Sequence, residues 1–588
     1  MLVTRTWLVV WLAAASCSSG KPDNVPKNRE ANPAPPIPTA PPADDRYDTG
    51  SLGAIGFVLS EGTPAARAHF THGLLALHSF WYDEATRQFQ AAIDADPAMN
   101  MAYWGLAMSR CKLLWGDDDV DAAHEALGRM PTPDRLTPRD QAWVNALVEL
   151  LRDGDVRTSR KRFAAAMESL YAQFPDDESA TFLAIALLSS TRPEDPDTGA
   201  VRKRAAALAI GVFEHNPQHP GAAHYAIHAY DTPELAALAL PFARSYAKIA
   251  PAAFHARHMP AHIFSRLGMW TEGIASCKSA WDVSVAAARR EKLSADHYDF
   301  HSLNWLVEMS FEVGRRTDAD GALDEFAKAV RGGLGRQNRA LYANQVASFM
   351  MRTGQWSRVD ELLAPLATPT VEETDPTVAP GSAARAGEPQ SHCAPAAAAS
   401  PLELLEQLSV LDARARAAAM QHDLEKTRSF VRDIDAVRAK LRPFFLATQP
   451  KEAVARIDEA HTRQRQALLA RAGANDRALL TVLQRSAVGA DQESGGESNP
   501  SGFLLHEEIA DTLMRLERPK DAAVEYALAL HNHPRRARSL LGAARAASRL
   551  HDPHAARASY QQLLELWNAA DENTDGLAEA RAAVAARE

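Results

Sequence analysis

The sequence predicts an all-α fold in which antiparallel helix pairs stack into an elongated α-solenoid. Of its 588 residues, 46% are hydrophobic and only 7% aromatic, and alanine-rich tracts outnumber runs of β-branched residues, a composition typical of helices. A chain of this length is too long for one ordinary core. A pattern of small and large residues also recurs 34 positions apart, and a fixed period of this size indicates a stack of similar structural units.

Two separate parts of the chain carry this period. Residues 219–251 align with residues 258–281 at an offset of 34, and 506–534 align with 539–566 at the same offset. A related unit spans 69–97, and weaker units are expected at 100–130, 300–330 and 340–366. The only candidate strand is 53–60, and a single strand makes no sheet.

The first residues, "MLVTRTWLVVWLAAASCSSG", have the features of a secretory signal. Arg5 is the only charge, an apolar run covers 7–15, and small residues precede Cys17. We therefore expect a signal peptide over 1–17. Its end resembles a bacterial lipobox, in which Cys17 becomes the lipidated first residue of the mature protein, although Ala14 stands where leucine is usual.

The resemblance to a lipobox implies an exported lipoprotein attached to a bacterial membrane through Cys17. Serines follow the cysteine where an aspartate would favour the inner membrane, so the outer membrane is the expected location. The alternative is cleavage after Ala15, which would give a periplasmic or secreted protein.

Low-complexity segments divide the rest of the chain. Residues 18–48, rich in proline and asparagine, predict a disordered N-terminal tether, and 367–400, poor in large apolar residues, predict a disordered internal linker. We expect a solenoid with a histidine-rich groove over 49–366, followed by the linker at 367–400. Helical hairpins over 401–488, a loop at 489–502 and a C-terminal repeat pair with a tail over 503–588 complete the expected organisation.

Charge and cysteine content exclude two classes of protein. The formal net charge is −10, and no stripe of lysine and arginine is interleaved with aromatic residues, so we expect no nucleic-acid partner. Only Cys111, Cys277 and Cys393 follow Cys17, which excludes a disulfide scaffold.

Several phrases resemble one family of bacterial tetratricopeptide repeat (TPR) proteins of unknown activity: "LHSFWYDEA" (77–85), "MAYWGLAM" (101–108), "HPGAAHYAIHAYD" (219–231), "HARHMPAHIFSRLGMW" (255–270) and "LLGAARAA" (540–547). The chain departs from that family at 110–116, where Lys112 and Leu113 replace a His-Pro pair. The resemblance implies a right-handed superhelix whose first helices line a concave groove, and it implies no reaction.

Histidines cluster in two adjacent repeats. In the 34-residue register, His224 and His258 occupy one equivalent place and His228 and His262 another, and both places face the groove in such repeats. The spacing of four puts each pair on one helix face. Residues on the same groove side, and so available as further ligands or as hydrogen-bond partners of the ligands, are Asp231, His255, His301 and Glu308. His72 and His78 are expected to pack against Phe80 and Trp81 instead.

Three interpretations of the cluster stay open. His224, His228, His258 and His262 can form a site for a divalent transition metal such as zinc, since imidazole pairs suit zinc, copper or nickel. They can instead form a buried hydrogen-bond network. With Arg257 and Arg266 they can also recognise an anionic or peptide ligand. The helical zinc motif with a glutamate after the first histidine is absent, and Pro260 must lie in a first helical turn or distort its helix.

The sequence therefore predicts a membrane-tethered TPR scaffold that binds a peptide or protein partner in its concave groove. The alternative is a metal-binding protein or metal-dependent enzyme that uses the histidines of 224–262. A glycan-binding lipoprotein is disfavoured because the aromatic residues occupy helix-packing positions. No phosphate loop, nucleophile elbow or carboxylate pair indicates catalysis, so we assign no catalytic residue and expect a binding protein rather than an enzyme.

Overall fold

A computed structural model describes residues 51–115, 118–152, 154–193, 195–368, 399–448, 451–490 and 505–586. Every regular element within these ranges is a helix, which confirms the all-α prediction. None of the helices found there is both long and apolar enough to cross a membrane. The predicted signal peptide, Cys17 and the tether at 18–48 lie outside the described residues, as do most of the 367–400 linker and the 489–502 loop.

The first array is built from helix pairs. Successive helices pack against each other through short connections, which makes neighbours antiparallel. The helices are α1 (Pro64–His78), α2 (Tyr82–Ala95), α3 (Asn100–Met108), α4 (Val120–Gly128), α5 (Pro138–Leu151), α6 (Val156–Gln173), α7 (Asp177–Ser190), α8 (Thr198–His215), α9 (Pro220–Tyr230), α10 (Ala236–Ile249), α11 (Phe254–His258), α12 (Pro260–Arg266), α13 (Trp270–Arg290), α14 (Phe300–Glu312), α15 (Arg316–Arg331), α16 (Arg336–Thr353) and α17 (Val359–Leu363). Short 3₁₀ turns cover Pro133–Arg135, Ala295–His297, Trp356–Arg358 and Ala364–Ala367.

Local sequence explains how these pairs form and pack. Thr63 caps α1 by accepting a hydrogen bond from the Ala66 amide, and Pro64 occupies its first turn, where no amide proton is needed. Glycine permits close approach of the next helix: a Cβ added to Gly105 of α3 would lie 2.3 Å from the ring of Phe89 on α2. The weaker units expected at 100–130, 300–330 and 340–366 correspond to the helix pairs α3–α4, α14–α15 and α16–α17.

The 53–60 segment is not a strand. It runs without helix across the first array, where the Ala54 amide donates to the Gln218 carbonyl at 2.9 Å. Its Phe57 ring packs among Phe70, Trp104 and Trp143, with centroid distances of 5.2, 6.0 and 5.4 Å. The alternation of apolar residues that suggested a strand therefore serves to anchor the segment on an aromatic core.

The remaining helices form the second half of the chain. They are α18 (Pro401–Met420), α19 (Leu424–Thr448), α20 (Lys451–Ala472), α21 (Asp476–Ala490), α22 (Leu505–Arg515), α23 (Pro519–Asn532), α24 (Ala537–Arg549), α25 (Pro553–Leu566) and α26 (Leu577–Ala585). Helices α22 to α25 are the predicted C-terminal repeat pair. This pair returns to the first array, because α24 contacts α14.

Buried charges hold this contact. Glu312, at the end of α14, accepts from the Ala537 amide at 2.8 Å and pairs with Arg352 at 3.0 Å and Arg536 at 3.4 Å. Arg536 also pairs with Glu507 at 3.0 Å. Because these side chains are buried, removing any one partner leaves an uncompensated charge. The C-terminal repeats are therefore an integral part of the folded protein.

Candidate metal centre

The candidate histidine ligands lie on helices α9, α11, α12 and α14. His224 and His228 lie on α9, His255 and His258 on α11, and His262 on α12. Pro260 breaks what would be one helix: α11 ends at His258 and α12 begins at Pro260, in whose first turn a proline is tolerated. The break leaves His258 and His262 close together, as the sequence analysis required.

Three imidazoles form a first triad, His224, His228 and His255, all buried. One ligand nitrogen from each lies within 4.8 Å of the others. The Nε2 atom of His224 is 3.0 Å from Nε2 of His228 and 3.1 Å from Nε2 of His255. Three ring nitrogens therefore converge on one point.

The backbone of α1 fixes the tautomer of His224. Its Nδ1 is 2.7 Å from the carbonyl oxygen of His78, and a carbonyl only accepts, so Nδ1 carries the proton. This carbonyl belongs to the last turn of α1, where carbonyls lack partners within the helix. Neutral His224 consequently presents a lone pair at Nε2, and this single lone pair faces two other nitrogens.

His258, His262 and His301 form a second triad with the same character. Their ligand nitrogens also lie within 4.8 Å of one another, and Nε2 of His258 is 3.0 Å from Nε2 of His262. The His258 and His301 rings meet edge to face, with centroids 4.6 Å apart. His301 is the only partly exposed member of the two triads.

Asp231 fixes the tautomer of His262. Its Oδ2 lies 3.0 Å from Nδ1 of His262, and its Oδ1 accepts from Nε of Arg266 at 2.9 Å. Burial would raise the pKa of Asp231, but the charge of Arg266 and the hydrogen bonds with His262 and Arg266 outweigh burial and hold the pKa well below its usual range. Asp231 is thus a carboxylate that accepts from Nδ1–H of His262, which turns the Nε2 of His262 towards the other ligand nitrogens of the second triad.

A relay from Asp299 fixes His258 in the same way. The Ser302 hydroxyl donates to the Asp299 carboxylate, so its oxygen accepts from Nδ1–H of His258 at 2.8 Å. Burial raises the pKa of Asp299, and its hydrogen bonds with Ser302 counteract that rise. The Nε2 lone pair of neutral His258 therefore faces the Nε2 of His262 across 3.0 Å.

This arrangement suits a metal ion. A nitrogen lone pair that faces other ring nitrogens can bind a cation placed between them, and carbonyl and carboxylate acceptors at Nδ1 are the usual outer partners of metal-binding histidines. Two nitrogens on a tetrahedral zinc ion, each about 2.0–2.1 Å from it, lie about 3.3 Å apart, close to the separations seen here. Small adjustments of the rings would therefore admit an ion at each triad.

The imidazoles are also in the protonation state that metals require. Burial lowers the pKa of His224 to about 3, and it lowers the pKa values of His228, His255 and His258 well below the ordinary value, with smaller contributions from neighbouring histidines. All four are therefore neutral at pH 7, and none has to lose a proton before it binds a cation.

Aromatic rings enclose both triads. Phe80 contacts the first triad, with centroid distances of 4.4 Å to His224 and 5.2 Å to His255, and its backbone has a φ of 53°, a conformation uncommon for a bulky residue. Trp305 contacts the second triad, 4.5 Å from His262 and 5.0 Å from His258. These rings exclude water, which strengthens electrostatic interactions within the site.

A third cluster, His78, Glu178 and His219, was not predicted. Nε2 of His78 lies 2.8 Å from Glu178 and its Nδ1 2.9 Å from the Tyr225 hydroxyl. His219 accepts from the Ala222 amide at Nδ1, which leaves its Nε2–H facing Glu178 at 3.4 Å. The His78 ring is therefore hydrogen-bonded at both nitrogens, whereas Nε2 of His219 and Oε1 of Glu178 lie opposite each other without a hydrogen bond.

Several expectations need correction. The four predicted ligands do not form one site: His224 and His228 belong to the first triad, and His258 and His262 belong to the second. Their residue exposures are 0, 4, 2 and 2%, so they are buried between helices and do not line an open groove. His255 and His301 belong to the triads themselves. His78 joins the third cluster instead of packing on Trp81.

Three charged residues also have roles other than those expected. Glu308, a predicted outer ligand, instead pairs with Arg352 at 3.1 Å and accepts from Gln345 at 3.1 Å, because α16 packs beside it. Arg266 pairs with Asp231, and Arg257 donates to the Pro251 carbonyl at 2.6 Å. The two arginines expected to recognise a ligand therefore bind the protein itself.

Comparison with known proteins adds little to this description. No family model matches the sequence, and no curated protein matches it. Among solved structures, a chain of the APC/C hetero-tetramer Cut9–Hcn1 is 11% identical, with 76% of this chain and 83% of that chain covered and a TM-score of 0.27. Yeast Tom70 is 12% identical, with coverages of 88% and 95% and a TM-score of 0.27. The TPR domain of P58(IPK) is 11% identical, with coverages of 83% and 99% and a TM-score of 0.19.

Proposed function

We propose that this chain is a helical-repeat protein that binds transition-metal ions at its two histidine triads. The observation that carries the proposal is the convergence of Nε2 atoms in two buried triads, in rings whose Nδ1 protons are held by the His78 carbonyl, Asp231 and Ser302. Such a set of nitrogen donors suits zinc, copper or nickel, and the carboxylate behind His262 is the kind of outer partner that tunes a metal ligand.

The arrangement of hydrogen-bond donors and acceptors supports the same proposal. A purely structural network places donors against acceptors on both ring nitrogens, as His78 does between Glu178 and the Tyr225 hydroxyl. In the triads, the Nε2 lone pairs of His224 and His258 instead face further ring nitrogens, which a bound cation would engage together. Metal binding to the folded state should therefore stabilise the protein by mass action.

Metal titration of the chelator-treated full chain tests the proposal. We expect zinc or copper to bind stoichiometrically and to raise Tm. His224→Ala and His262→Ala, each in a different triad, should each remove one site, and the double variant should bind no metal and show no metal-dependent rise in Tm. His531→Ala, at an exposed histidine, is the matched control and should behave like the parent chain. A parent chain that binds none of zinc, copper or nickel would contradict the proposal.

We also propose that the repeat array is an exported scaffold, tethered to a membrane through Cys17, that binds a peptide or protein partner in its concave groove. The stacked helix pairs and the lipobox-like sequence support this role. Cys17→Ser should release the protein into the soluble fraction or leave an uncleaved precursor. Unchanged membrane association with normal processing would argue against the lipid anchor.

A further inference from the structure

We infer that the C-terminal repeats, α22 to α25, regulate metal binding at the second triad, an inference that rests on the proposed function. Their docking on the first array raises the metal affinity of the second triad and leaves the affinity of the first triad unchanged. The observation behind this inference is that α12 and α14, which supply His262 and His301, both meet the C-terminal repeats at their C-terminal ends.

The end of α12 packs against the loop between α23 and α24, residues 533–536. Helix α12 carries His262, and the chain turns just after it at Gly268, whose φ is 67°. A Cβ added to Gly268 would lie 2.4 Å from the carbonyl oxygen of Pro534. The Trp270 indole, at the start of α13, donates to the carbonyl of Arg535 at 3.0 Å. The loop therefore lies directly against the C-terminal end of the helix that supplies His262.

Charge links the same loop to the residues that orient His262. Burial lowers the pKa of His533, in the loop, to about 3, the charges of Arg536 and Arg266 lower it further, and the charge of Asp231 opposes them. Arg266 and Asp231 are the buried ion pair behind His262, with Asp231 accepting from its Nδ1. The loop is thus within electrostatic range of that pair. Because water screens such charges, undocking would loosen the pair and with it the orientation of His262.

The C-terminal repeats also hold the far end of α14. His301 lies in the first turn of α14, and Glu312 is the last residue of the helix. The Glu312 carboxylate accepts from the Ala537 amide at 2.8 Å, and the Glu312 carbonyl accepts from the Trp567 indole at 3.1 Å. His301 and Glu312 are roughly 16 Å apart along the helix axis. Because a helix moves as a rigid element, a shift at Glu312 is carried to His301.

The first triad is attached to a different part of the array. His224 and His228 lie on α9, and the His78 carbonyl of α1 fixes the tautomer of His224. The contacts of the C-terminal repeats described above fall instead on α13, α14 and the turn after α12. In the docked structure, the ligand nitrogens of the second triad already lie within 4.8 Å of one another, so docking preorganises that site. Because coupling between two sites is reciprocal, metal at the second triad should in turn hold the C-terminal repeats in place.

Two single-triad chains allow the affinities to be measured separately. His224→Ala gives a second-triad chain, which keeps only that site, and His262→Ala gives a first-triad chain. The probe is whichever of zinc, copper and nickel the parent chain binds most tightly, and competition with a chromophoric chelator measures its affinity. Both chains are full length, so the C-terminal repeats are present in each.

Substitutions on either side of the contact then test the coupling. Arg536→Met removes a buried partner of Glu312, and in the second-triad chain it should weaken metal binding roughly 5–150-fold, the usual range for coupled sites. Trp270→Phe removes the hydrogen bond to Arg535 and should act in the same direction. In the first-triad chain, both changes should alter affinity by less than about twofold. Arg518→Met, at an exposed arginine that pairs with Asp521 within α23, is the matched control and should have no effect in either chain.

Hydrogen exchange at 537–541 measures the reciprocal effect without any change at the contact. The Ala537 amide donates to Glu312, so its exchange reports undocking of the C-terminal repeats. Metal should slow this exchange in the second-triad chain by the same factor as the coupling, and should leave it unchanged in the first-triad chain.

The outcomes separate this inference from the proposed function. Unchanged affinity of the second-triad chain after Arg536→Met and Trp270→Phe, an equal loss of affinity in both chains, or exchange at 537–541 that metal does not slow in the second-triad chain would each overturn the regulation and leave metal binding intact. A parent chain that binds no metal would overturn both. If Arg536→Met fails to fold, the exchange measurement still decides the question, because it leaves the contact intact.

Discussion

Acid should destabilise the metal-free protein at a pH where carboxyl groups have hardly begun to titrate. Four histidines are buried and neutral in the folded chain: His224, His228, His255 and His258. Burial is the main cause of their lowered pKa values, and it lowers the pKa of His224 to about 3. In the unfolded chain the same groups titrate near 6.5. Below that pH the unfolded state binds more protons than the folded state, so the free energy of unfolding falls as pH falls. The stability that these neutral histidines contribute is fully present only above pH 6.5.

The size of the effect follows from the proton count. Lowering the pH from 7.5 to 5.5 should cost roughly 1.4 kcal/mol for each histidine that stays neutral in the fold, or about 5–6 kcal/mol for the four together. This is a large share of the roughly 5–15 kcal/mol by which proteins are stable. Bound metal should reduce the loss, because it holds the imidazoles in their neutral form in competition with protons.

Urea unfolding of the metal-free chain at pH 7.5, 6.5 and 5.5 measures this dependence. His228→Asn removes one titrating group and should reduce the pH-dependent loss by roughly 1.4 kcal/mol, the contribution of one buried neutral histidine. His531→Ala removes an exposed histidine and should leave the dependence unchanged. If the parent chain were equally stable at pH 7.5 and 5.5, the buried, neutral state of these imidazoles would be refuted.

Three further changes test other parts of the structure. Asp231→Asn should weaken metal binding by about 10–100-fold, because His262 loses its carboxylate partner, and calorimetric titration measures this effect. The same change should lower stability by about 3–5 kcal/mol, because Arg266 is left buried without its counter-charge, and urea unfolding measures this second effect. Arg536→Met should loosen the C-terminal repeats from α14, since Glu312 and Glu507 lose their shared partner, and faster proteolysis between 490 and 505 would reveal it; unchanged proteolysis would mean that the pairing does not hold the contact. Deletion of 369–398, within the predicted linker, should leave Tm nearly unchanged because that sequence has little apolar area to bury, and a large fall would contradict the prediction.

The repeat period alone predicted much of the fold and four of the six histidines of the candidate site. A register of 34 residues places His224 over His258 and His228 over His262, and the structure brings each i, i+4 pair together, His224 with His228 and His258 with His262. The period could not show their burial, which depends on packing of α1 against α9 and on the rings of Phe80 and Trp305. Nearly every residue of α7 is buried, so no polar face marks that helix in the sequence.

Long-range contacts account for the other failures. His78, Glu178 and His219 come from three different helix pairs, and nothing in their local sequence indicates that they meet. Glu308 occupies the expected face of α14, but Arg352 on α16 offers it a stronger partner than any imidazole does. A signal was present for His255 and His301, since both were placed on the same side as the predicted ligands. Their spacing from the i, i+4 pairs, however, gave no reason to include them in a triad.

Anomalous X-ray scattering from crystals of the metal-loaded chain tests the central claim most directly. Data collected on both sides of the copper or zinc absorption edge should show two anomalous peaks. One should lie among the Nε2 atoms of His224, His228 and His255, and the other among the ligand nitrogens of His258, His262 and His301. Crystals of loaded protein with no anomalous peak at either triad, and with the imidazoles hydrogen-bonded to one another, would contradict the account.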